Sequence, residues 1–562
     1  MKWINRCYSF AALVIIFRLF YLQIYVNQIY TVQSKKNYIR YQEIIAPRGE
    51  ILDCNKKALA TNTPIRSLYW KSTGKAQLTD EQRLTISQLT GICNLTCNDQ
   101  LIKAIAHAER KKKSLLLYHH INFNQLATIE EIFPNHPNIK LKTEFKRDYP
   151  YKKSASHLIG YLGNTDAQLR GKMGLEKALD TILKGHNGTI MRTINSYGKK
   201  IDSEIIEHPI AGATIQTTID IDIQKIIEKN FSDAYIGSCI VMDPETGALL
   251  ALLSRPDFDP NMFLKPISYK QWQELQTDQP FLNRAIQSSY PPGSLFKLVT
   301  ISAALETGLI SIDDTHHCKG YVHYGDRDYW CNRHNGHGII SIKQGLALSC
   351  NTLFYELGKK LTINTLADYA QRFGLGQKTG FILSETTGLI PTSSWKYQTK
   401  GEPWWQGETL SASIGQSYLL TTPLQIARMF SGIFTGYLPK PRIINDEPIE
   451  KSILYLKPAT LDFLKKTMKS VVTEGTGRLI NRMKDIEIYA KTSTAQISTI
   501  DKRGLGQQYF EHGWVAIHFT IKGQKPLILV LLVEHAGTSR VPVMIAKNIL
   551  LDYKKYYERR AI

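Results

Sequence analysis

The chain has 562 residues, of which 43% are hydrophobic and 21% are charged, a composition that excludes a mainly disordered protein. The formal net charge of +21 is large, and nucleic-acid binding is one interpretation of such a charge. However, lysine and arginine are scattered along the sequence, which carries no zinc-finger, helix-turn-helix or aromatic RNA-binding signature, so we predict no nucleic-acid partner. A basic surface beside an anionic membrane or polymer, or a general bias toward lysine, explains the charge equally well.

The N-terminus carries a segment that is long and apolar enough to cross a membrane. Lys2 and Arg6 precede a largely apolar run over residues 7–26, close to the ~20 residues that span a bilayer. Positive charge before the run favours a cytoplasmic N-terminus and an exported remainder. The run has no small-residue cleavage site after it, so we predict that residues 1–27 form a cytoplasmic tip and an uncleaved transmembrane anchor. Arg18 interrupts the run and either reaches the membrane interface or faces a partner membrane helix.

Residues 28–209 mix short strand patterns with helical patterns, including a helical stretch over residues 78–107. No group of catalytic residue types stands out in this part of the chain. We interpret it as a spacer domain that carries no chemistry.

Residues 210–562 have strand patterns at both ends and mainly helical patterns between them. The strand patterns cover residues 214–219, 239–242, 248–254, 486–497, 512–521 and 527–534, and a last helical pattern covers residues 541–557. This arrangement predicts one mixed sheet flanked by helices.

A candidate nucleophile stands at the start of one of these helical patterns. The turn-forming residues Pro291, Pro292 and Gly293 lead through Ser294 into an apolar helical segment, which places Lys297 about one turn after Ser294 on the same face. A lysine whose pKa is lowered by burial or by a nearby cation can take the proton of a serine hydroxyl. The N–H groups at the helix N-terminus can stabilise the oxyanion that forms when serine attacks a carbonyl.

Two further motifs follow in the order that this chemistry requires. Ser349-Cys350-Asn351 lies inside a helical pattern over residues 340–358, and Lys491-Thr492-Ser493-Thr494 lies in a strand pattern. Ser-x-x-Lys, Ser-Asp-Asn and Lys-Thr-Gly are together the signature of penicillin-binding proteins and class A β-lactamases. This chain has the first motif intact and differs by one residue in each of the other two.

Through these motifs the chain resembles the class B penicillin-binding proteins, in particular the penicillin-binding protein 2 group of the cell-elongation machinery. The resemblance covers nearly the whole chain and rests on these segments: Arg48-Gly49 to Asp53, Ala58-Leu59-Ala60, Arg147 to Pro150, Gly174-Leu175-Glu176, Ser294 to Lys297, Gly336-His337-Gly338, Gly407-Glu408-Thr409, Ile414-Gly415-Gln416, Thr422-Pro423-Leu424-Gln425 and Lys491 to Gln496. No segment has the character of a separate glycosyltransferase domain, which argues against class A. The resemblance implies a mixed α+β protein with a transmembrane anchor, an elongated α+β pedestal (dimerisation-type) domain at 28–209 and a transpeptidase domain at 210–562 that includes an all-helical subdomain.

The resemblance also implies an activity, namely the D,D-transpeptidation that cross-links peptidoglycan stem peptides during cell elongation and maintains cell shape. Ser294 would attack the penultimate D-alanine carbonyl, and Lys297 would be its general base. Ser349 would relay a proton to the leaving amine, and Asn351 would hold the substrate amide. Lys491 would help to keep Lys297 neutral and would attract the substrate carboxylate.

The last motif carries the remaining implied roles and one departure from the family. Thr492, Ser493 and Thr494 would line the substrate-binding site, with Thr492 and Thr494 bound to the substrate carboxylate. The N–H groups of Ser294 and Thr494 would form the oxyanion hole. Ser493 stands where the family usually has glycine. A serine side chain there must point away from the cleft or narrow it, and strand alternation places Ser493 on the side of Lys491, so the conflict with the cleft is real. We still expect catalysis, and the effect on β-lactam affinity is left open.

A second cluster of chemically distinctive residues lies between the first two motifs. Cys318, Cys331, His337 and Cys350 are three thiols and an imidazole, a ligand set that suits tetrahedral zinc. Their spacing is wider than in a zinc finger, so buried cysteines or a disulfide are alternative interpretations. The resemblance implies a structural Zn²⁺ site at these positions.

The resemblance further implies a bacterial inner-membrane protein with most of its chain in the periplasm. Its expected partners are stem peptides, β-lactams, a RodA-type glycan polymerase and a MreC-type scaffold. Two other functions compete with the transpeptidase: a D,D-carboxypeptidase or β-lactamase that uses water, and a non-catalytic scaffold or β-lactam sensor. The anchor and the spacer domain argue against a small hydrolase, and the intact Ser294, Lys297 and Lys491 argue against a loss of catalysis.

Overall fold

The protein has a mixed α+β fold, as the sequence predicts. A computed structural model describes residues 2–119, 121–165, 168–195, 200–264, 267–481, 483–496 and 506–560. The chain divides into two compact units, and each unit gathers several separate segments. The first unit comprises Met1–Glu50, Asn62–Arg147 and Thr181–Thr214, and the second comprises Ile51–Thr61, Asp148–Asp180 and Ile215–Ile562. The domain boundaries after residues 27 and 209 stay predictions.

The α-helices of the described residues begin with the apolar N-terminal helix and end close to the C-terminus. They are α1 (Lys2–Phe20), α2 (Asn27–Tyr38), α3 (Asp80–Ile92), α4 (Asp99–Lys111), α5 (Phe123–Ile132), α6 (Ser156–Ile159), α7 (Gly174–Ala178), α8 (Asp180–Lys184), α9 (Ile221–Asn230), α10 (Tyr269–Gln276), α11 (Lys297–Glu306), α12 (Ile342–Ala347), α13 (Asn351–Lys360), α14 (Ile363–Arg372), α15 (Ser393–Lys400), α16 (Gln406–Ser413), α17 (Pro423–Thr435), α18 (Pro458–Thr473) and α19 (Arg540–Arg560).

The β-strands occur in both units. They are β1 (Ile39–Ile44), β2 (Ile51–Leu52), β3 (Ala58–Trp70), β4 (Leu115–Tyr118), β5 (Ile139–Asp148), β6 (Leu162–Thr165), β7 (Gln168–Gly171), β8 (Gly188–Ile194), β9 (Lys200–Glu207), β10 (Ile215–Gln216), β11 (Gly237–Met242), β12 (Leu249–Arg255), β13 (Thr315–Cys318), β14 (Tyr321–Tyr324), β15 (Arg327–Trp330), β16 (Gly338–Ser341), β17 (Tyr437–Pro439), β18 (Lys451–Ile453), β19 (Ile486–Ala495), β20 (His512–Ile521) and β21 (Leu527–Val533).

The predicted apolar N-terminal run is helical. Helix α1 continues through a π-helical turn, Tyr21–Tyr25, to give a helical segment from Lys2 to Tyr25 with a mean hydropathy of 1.8 and no buried residues. Its length and composition suffice to cross a bilayer. Among the described residues, this is the one helix that is long and apolar enough to cross a bilayer.

The first unit contains a three-stranded sheet and a small hydrophobic core. Strands β1, β8 and β9 form one antiparallel sheet. Side chains from β3 and from helices α3 to α5, such as Trp70, Leu89 and Ile105, pack into the core. The predicted helical stretch over residues 78–107 is two helices rather than one: Asn94 adopts a positive φ of 52° after α3, and the side chain of Asn98 accepts a hydrogen bond that starts α4.

The second unit is built on a five-stranded sheet with the strand order β12-β11-β21-β20-β19. The strands predicted over residues 239–242, 248–254, 486–497, 512–521 and 527–534 therefore do join one sheet. The strand predicted over residues 214–219 does not, because the short β10 pairs with β2 in a different sheet. All described pairings of the five-stranded sheet are antiparallel, so that sheet is antiparallel rather than mixed in strand direction. The strand predicted over residues 486–497, which contains Lys491, ends at Ala495. Residue 497 lies outside the described residues.

Both faces of this sheet are covered, which explains why β21 is apolar along its whole length and β20 is almost entirely buried. On one face, Val515 and Ile517 belong to a core that includes residues of α9 and α19. On the other face, His518 stacks on Phe434 of α17 with ring centroids 3.8 Å apart. Strand β19 is the last strand in the order of the sheet and therefore lies at its edge, and this edge carries the third motif.

Candidate active site

Ser294 lies at the start of a buried helix, as the sequence predicts. A 3-10 turn, Gly293–Leu295, precedes α11, and Lys297 is the first residue of that helix. Gly293 has a φ of +52°, a conformation that favours glycine because it lacks a Cβ atom. Ser294 is half-buried whereas Lys297 is fully buried, so the hydroxyl is accessible and the amine is not.

Ser349 does not lie inside a helix, which corrects the prediction of a continuous helical pattern over residues 340–358. Helix α12 ends at Ala347, and α13 begins at Asn351. Ser349 adopts a positive φ of 56° in the connection between them, a sparsely populated conformation for a residue with a side chain. This turn brings the Ser349 hydroxyl to Ser294, and Ser349 Oγ donates to Ser294 Oγ over 2.9 Å.

Lys297 is connected to Ser294 through Ser349. Its Nζ donates to Asn351 Oδ1 at 2.7 Å, to the Ser349 carbonyl at 2.9 Å and to Ser349 Oγ at 3.1 Å. In the hydrogen-bond pattern of the described residues, no bond joins Lys297 Nζ directly to Ser294 Oγ. Burial lowers the pKa of the Lys297 ammonium to about 8, so a neutral amine is accessible near physiological pH.

Lys491 contacts the Ser349 hydroxyl from the side of the sheet. It is fully buried in β19, and its Nζ donates to the Thr492 carbonyl at 3.0 Å and to Ser349 Oγ at 3.4 Å. Burial, and then the nearby Lys297, hold the pKa of Lys491 well below its ordinary value. The Ser349 hydroxyl therefore accepts from two amines and donates to Ser294, which uses its whole hydrogen-bonding capacity.

The three residues after Lys491 point in alternating directions from β19. Thr492 Oγ1 lies 2.6 Å from Thr476 Oγ1. Thr494 is exposed, and its Oγ1 accepts from the Ser539 N–H at 3.1 Å. The contact with Thr476 was not predicted from the sequence, where the only signal is a threonine flanked by two glycines after α18.

Ser493 lies on the Lys491 side of β19, where strand alternation predicts it. It is 2% exposed, and its Oγ donates to the Pro292 carbonyl at 2.9 Å. The side chain therefore points into the body of the unit, away from the exposed hydroxyl of Thr494. The effect of Ser493 on the width of the cleft and on β-lactam affinity stays a prediction.

The predicted metal ligands converge beside this site. Sγ of Cys318, Cys331 and Cys350 and a ring nitrogen of His337 all lie within 4.8 Å of one another, and the three cysteines are buried. All three thiols are free, and the Cys331 and Cys350 sulfurs are 3.8 Å apart, much farther than the ~2.05 Å of a disulfide. The cluster could hold a metal ion.

Short structural elements bring these four ligands together. Strands β13 and β16 pair so that Cys318 lies opposite Gly338, next to His337. Cys331 directly follows β15, and Cys350 is the residue before α13. One residue of the cluster, Cys350, therefore lies in the same connection between α12 and α13 as Ser349.

Comparisons with known proteins agree with this geometry. The sequence pattern described as "Penicillin binding protein transpeptidase domain" matches residues 237–551, and that described as "Penicillin-binding Protein dimerisation domain" matches residues 43–217. The chain is 30% identical to the peptidoglycan D,D-transpeptidase MrdA of Acinetobacter baumannii, over 96% of this chain and 85% of the relative.

Solved structures give the same result. The fold matches PBP2 in its complex with MreC from Helicobacter pylori with a TM-score of 0.80 and 26% identity, covering 93% of this chain and 99% of the other. A second match, described as "Structural coordination of polymerization and crosslinking by a peptidoglycan synthase complex", has a TM-score of 0.76 and 27% identity and covers 99% and 98% of the two chains. With a transpeptidase-domain match over more than half of its length and relatives that span nearly all of it, the chain belongs to the penicillin-binding proteins, as a class B member of the PBP2 type.

Proposed function

We propose that this chain is a serine-type peptidoglycan D,D-transpeptidase that cross-links stem peptides during cell elongation. The observation that carries the proposal is the hydrogen-bonded series Ser294–Ser349–Lys297, with Lys491 on the same hydroxyl. A half-exposed serine connected to a buried amine of lowered pKa has the parts of an activated nucleophile. The relatives are named for this activity.

In the first half-reaction, Ser294 Oγ attacks the carbonyl of the penultimate D-alanine. The neutral Lys297 accepts the serine proton by way of Ser349, and the new C–O bond forms a tetrahedral intermediate. The C–N bond to the terminal D-alanine then breaks, and Ser349 passes a proton to the leaving amine. Terminal D-alanine leaves, and the donor peptide stays on Ser294 as an ester.

In the second half-reaction, the amine of a neighbouring stem peptide attacks this ester. A new amide bond forms, the C–O bond to Ser294 breaks, and the amine proton returns to the serine through the same hydroxyl. The backbone N–H groups of Ser294 and Thr494 form the oxyanion hole in both steps. Thr492 and Thr494 bind the substrate carboxylate, and Asn351 orients the substrate amide.

We further propose that the Cys318, Cys331, His337 and Cys350 cluster binds a structural Zn²⁺. Zn–S bonds of ~2.3 Å and Zn–N bonds of ~2.0–2.1 Å give tetrahedron edges of ~3.8 Å between two sulfurs and ~3.5 Å between sulfur and nitrogen. The Cys331–Cys350 Sγ distance is 3.8 Å, and the distances from His337 Nδ1 to the sulfurs of Cys318 and Cys331 are 3.4 and 3.6 Å. This agreement supports zinc, which would fix the turn that presents Ser349.

We also propose that the chain is anchored in the bacterial inner membrane by its N-terminal helix and lies mostly in the periplasm. The apolar segment Lys2–Tyr25 supports the anchor, and the positive residues before it support the orientation. We expect a RodA-type glycan polymerase and a MreC-type scaffold as partners. The matched complexes, one of PBP2 with MreC and one of a peptidoglycan synthase, support this expectation.

The proposed activity can be tested on the purified full-length chain in detergent. Incubation with a penicillin is expected to add its mass to the peptide that contains Ser294, and Ser294→Ala is expected to abolish the adduct. Ser302→Ala is a matched control, because Ser302 is a fully buried serine in α11 whose Oγ donates to the Leu298 carbonyl at 2.7 Å. The control is expected to keep the adduct.

Products formed from peptidoglycan strands then separate the competing functions. Cross-linked stem peptides support the transpeptidase. Shortened stem peptides without cross-links, or rapid release of the penicillin, would instead indicate a carboxypeptidase or β-lactamase. A folded protein that forms no adduct would indicate a non-catalytic scaffold.

A further inference from the structure

Ser493 makes a hydrogen bond between the edge strand and the turn that carries the nucleophile. Its Oγ donates to the Pro292 carbonyl over 2.9 Å, two residues before Ser294. Within the described residues, the Pro292 carbonyl accepts one backbone hydrogen bond as well. That bond comes from the Leu295 N–H and is longer, at 3.3 Å. A glycine at position 493 could not donate the hydrogen bond that Ser493 Oγ donates.

Strand β19 packs closely against the turn that contains Gly293. A Cβ atom built on Gly293 would overlap Ser493 Oγ, and it would also lie 3.4 Å from the Cα and Cβ of Ala495. Ser493 therefore fills the volume beside Gly293, and the turn cannot shift toward β19.

The opposite side of the turn is held by the segment after α16. The Gly293 N–H donates to the Gly415 carbonyl at 2.9 Å, and a Cβ atom on Gly415 would overlap the backbone of Gly293. The turn thus lies between two fixed backbones. Among the hydrogen bonds of the described residues, the bond from Ser493 is the one that ties the turn to β19.

This bond lies next to both N–H groups of the proposed oxyanion hole. One N–H belongs to Ser294, two residues after the carbonyl that accepts the bond. The other N–H belongs to Thr494, the residue directly after Ser493. Donors that are held in place before the reaction stabilise a developing oxyanion without reorganisation, so the distance between these two backbones matters for catalysis.

We propose that Ser493 is a positioning residue, whose hydroxyl bond to the Pro292 carbonyl fixes the Ser294 turn against β19 and so holds the two oxyanion-hole N–H groups at their working separation. The inference rests on the proposed transpeptidase function. It assigns to Ser493 a role in the rate of acylation and not in the binding of the substrate carboxylate.

The test measures acylation by a penicillin in the full-length protein and separates the acylation rate constant at saturation from the dissociation constant of the initial complex. Ser493→Ala removes the hydroxyl and keeps the Cβ atom, so it is expected to lower the rate constant by about 3- to 10-fold, the effect of one lost hydrogen bond. The dissociation constant is expected to change by less than about twofold. Ser493→Cys keeps the shape and a weak donor, and is expected to give an intermediate rate.

Ser431→Ala is the matched control for a purely structural effect. Ser431 is fully buried in α17, and its Oγ donates to the Ala427 carbonyl at 3.1 Å, so the control loses the same kind of bond away from β19. We expect Ser431→Ala to keep the wild-type rate constant even if its Tm falls.

Each outcome decides between clear alternatives. A wild-type rate constant in Ser493→Ala, with Ser294 still acylated in the wild type, would overturn this inference and leave the proposed function intact. A change confined to the dissociation constant would also overturn it, since that result indicates a binding role. A wild-type protein that forms no adduct at Ser294 would instead refute the proposed function itself.

Discussion

Ser349 places a single hydroxyl between Ser294, the proposed nucleophile, and two buried amines. Lys297 and Lys491 both donate to it, and it donates to Ser294. Two ammonium groups in one buried site disfavour each other's charged form. The arrangement therefore favours the neutral form of at least one of the two amines. An amine must be neutral to act as a general base.

The pH dependence of acylation follows from this arrangement. Because burial lowers the pKa of Lys297 to about 8, the fraction of neutral amine rises as the pH rises toward that value. We expect the rate of acylation by a penicillin to increase about tenfold per pH unit below pH ~7.5 and to level off above pH ~8.5. Stopped-flow measurements from pH 6 to pH 9 would check this. A rate that is highest at low pH, or flat across the range, would contradict Lys297 as the base.

At the scale of single residues, the sequence predicts the contacts of residues whose partners lie within one helical turn or one motif. The spacing of Ser294 and Lys297 suffices to put both at one helix start, because helix geometry fixes it. The pairing of Thr476 with Thr492 and the positive φ of Ser349 were not predictable. They depend on contacts between segments that are distant in the sequence, and no local pattern encodes them.

The connection between α12 and α13 is the element on which the site depends most. Its backbone carries Ser349 in a strained conformation, and such a conformation persists only where the surroundings over-determine it. Cys350, the next residue, belongs to the four-ligand cluster. We infer that the ligand cluster and the catalytic turn are stabilised together.

Loss of the metal should consequently cost activity. Cys350→Ala is expected to lower the bound zinc and to reduce acylation by about tenfold or more, the usual effect of disturbing an outer support of a site. Cys239→Ala is a matched control, since Cys239 is another fully buried free cysteine, in β11. Metal analysis and penicillin labelling of both variants would check this. Full acylation of a metal-free Cys350→Ala protein would refute the link.

The segment after α16 allows a second test at the scale of elements. Gly415 and Gly436 both have a φ of +80°, but a Cβ atom on Gly415 would overlap Gly293, whereas one on Gly436 would have nothing within 4 Å. Alanine at either position bears about 1–2 kcal/mol of backbone strain. We expect only Gly415→Ala to abolish acylation, and urea unfolding together with penicillin labelling would separate the two effects. Equal acylation in both variants would contradict a tight fit between this segment and the turn.

The elements were mostly predictable from periodicity, and the exceptions have a common cause. The apolar pattern over residues 340–358 continues across the break between α12 and α13, because Leu346, Leu353 and Phe354 are buried on both sides of it. A pattern of buried residues reports which side chains face the core and not whether the backbone hydrogen bonds continue. The apolar pattern likewise continues across the break between α3 and α4, because Ile92, Leu95 and Leu101 all pack against the same core.

At the scale of the whole molecule, the chemistry is contained in one of the two compact units. The nucleophile, both lysines and the ligand cluster all belong to the second unit, which also contains the five-stranded sheet. The apolar N-terminal helix belongs to the first unit. Membrane attachment and acylation should therefore be separable.

A truncation tests this separation. Removal of residues 1–27 is expected to move the protein from the membrane fraction to the soluble fraction, because about 20 apolar residues are lost. Penicillin labelling of Ser294 is expected to persist at a similar rate. Fractionation and fluorescent penicillin labelling of both proteins would check the result. A truncated protein that stays with the membrane would show that another surface anchors the chain.

The overall architecture was predictable from the order of strands and helices, but the membership of the units was not. Residues 51–61 and 148–180 cluster with the second unit although they precede residue 215 in the chain. One reason is a parallel pairing of β10 with β2, in which Ile215 lies opposite Ile51. Such a pairing joins residues far apart in the sequence, and its short strands leave no recognisable pattern.

The three thiols of the ligand cluster also set an order of events during maturation. The sulfurs of Cys331 and Cys350 are close enough for an oxidant to join them after a small movement, and the proposed location is an oxidising compartment. A cation bound to both sulfurs would protect them from that reaction. Newly exported chains would then have to acquire their ion before an oxidase reaches these cysteines, so a shortage of the ion would leave molecules that are folded and membrane-inserted but lack support for the Ser349 turn.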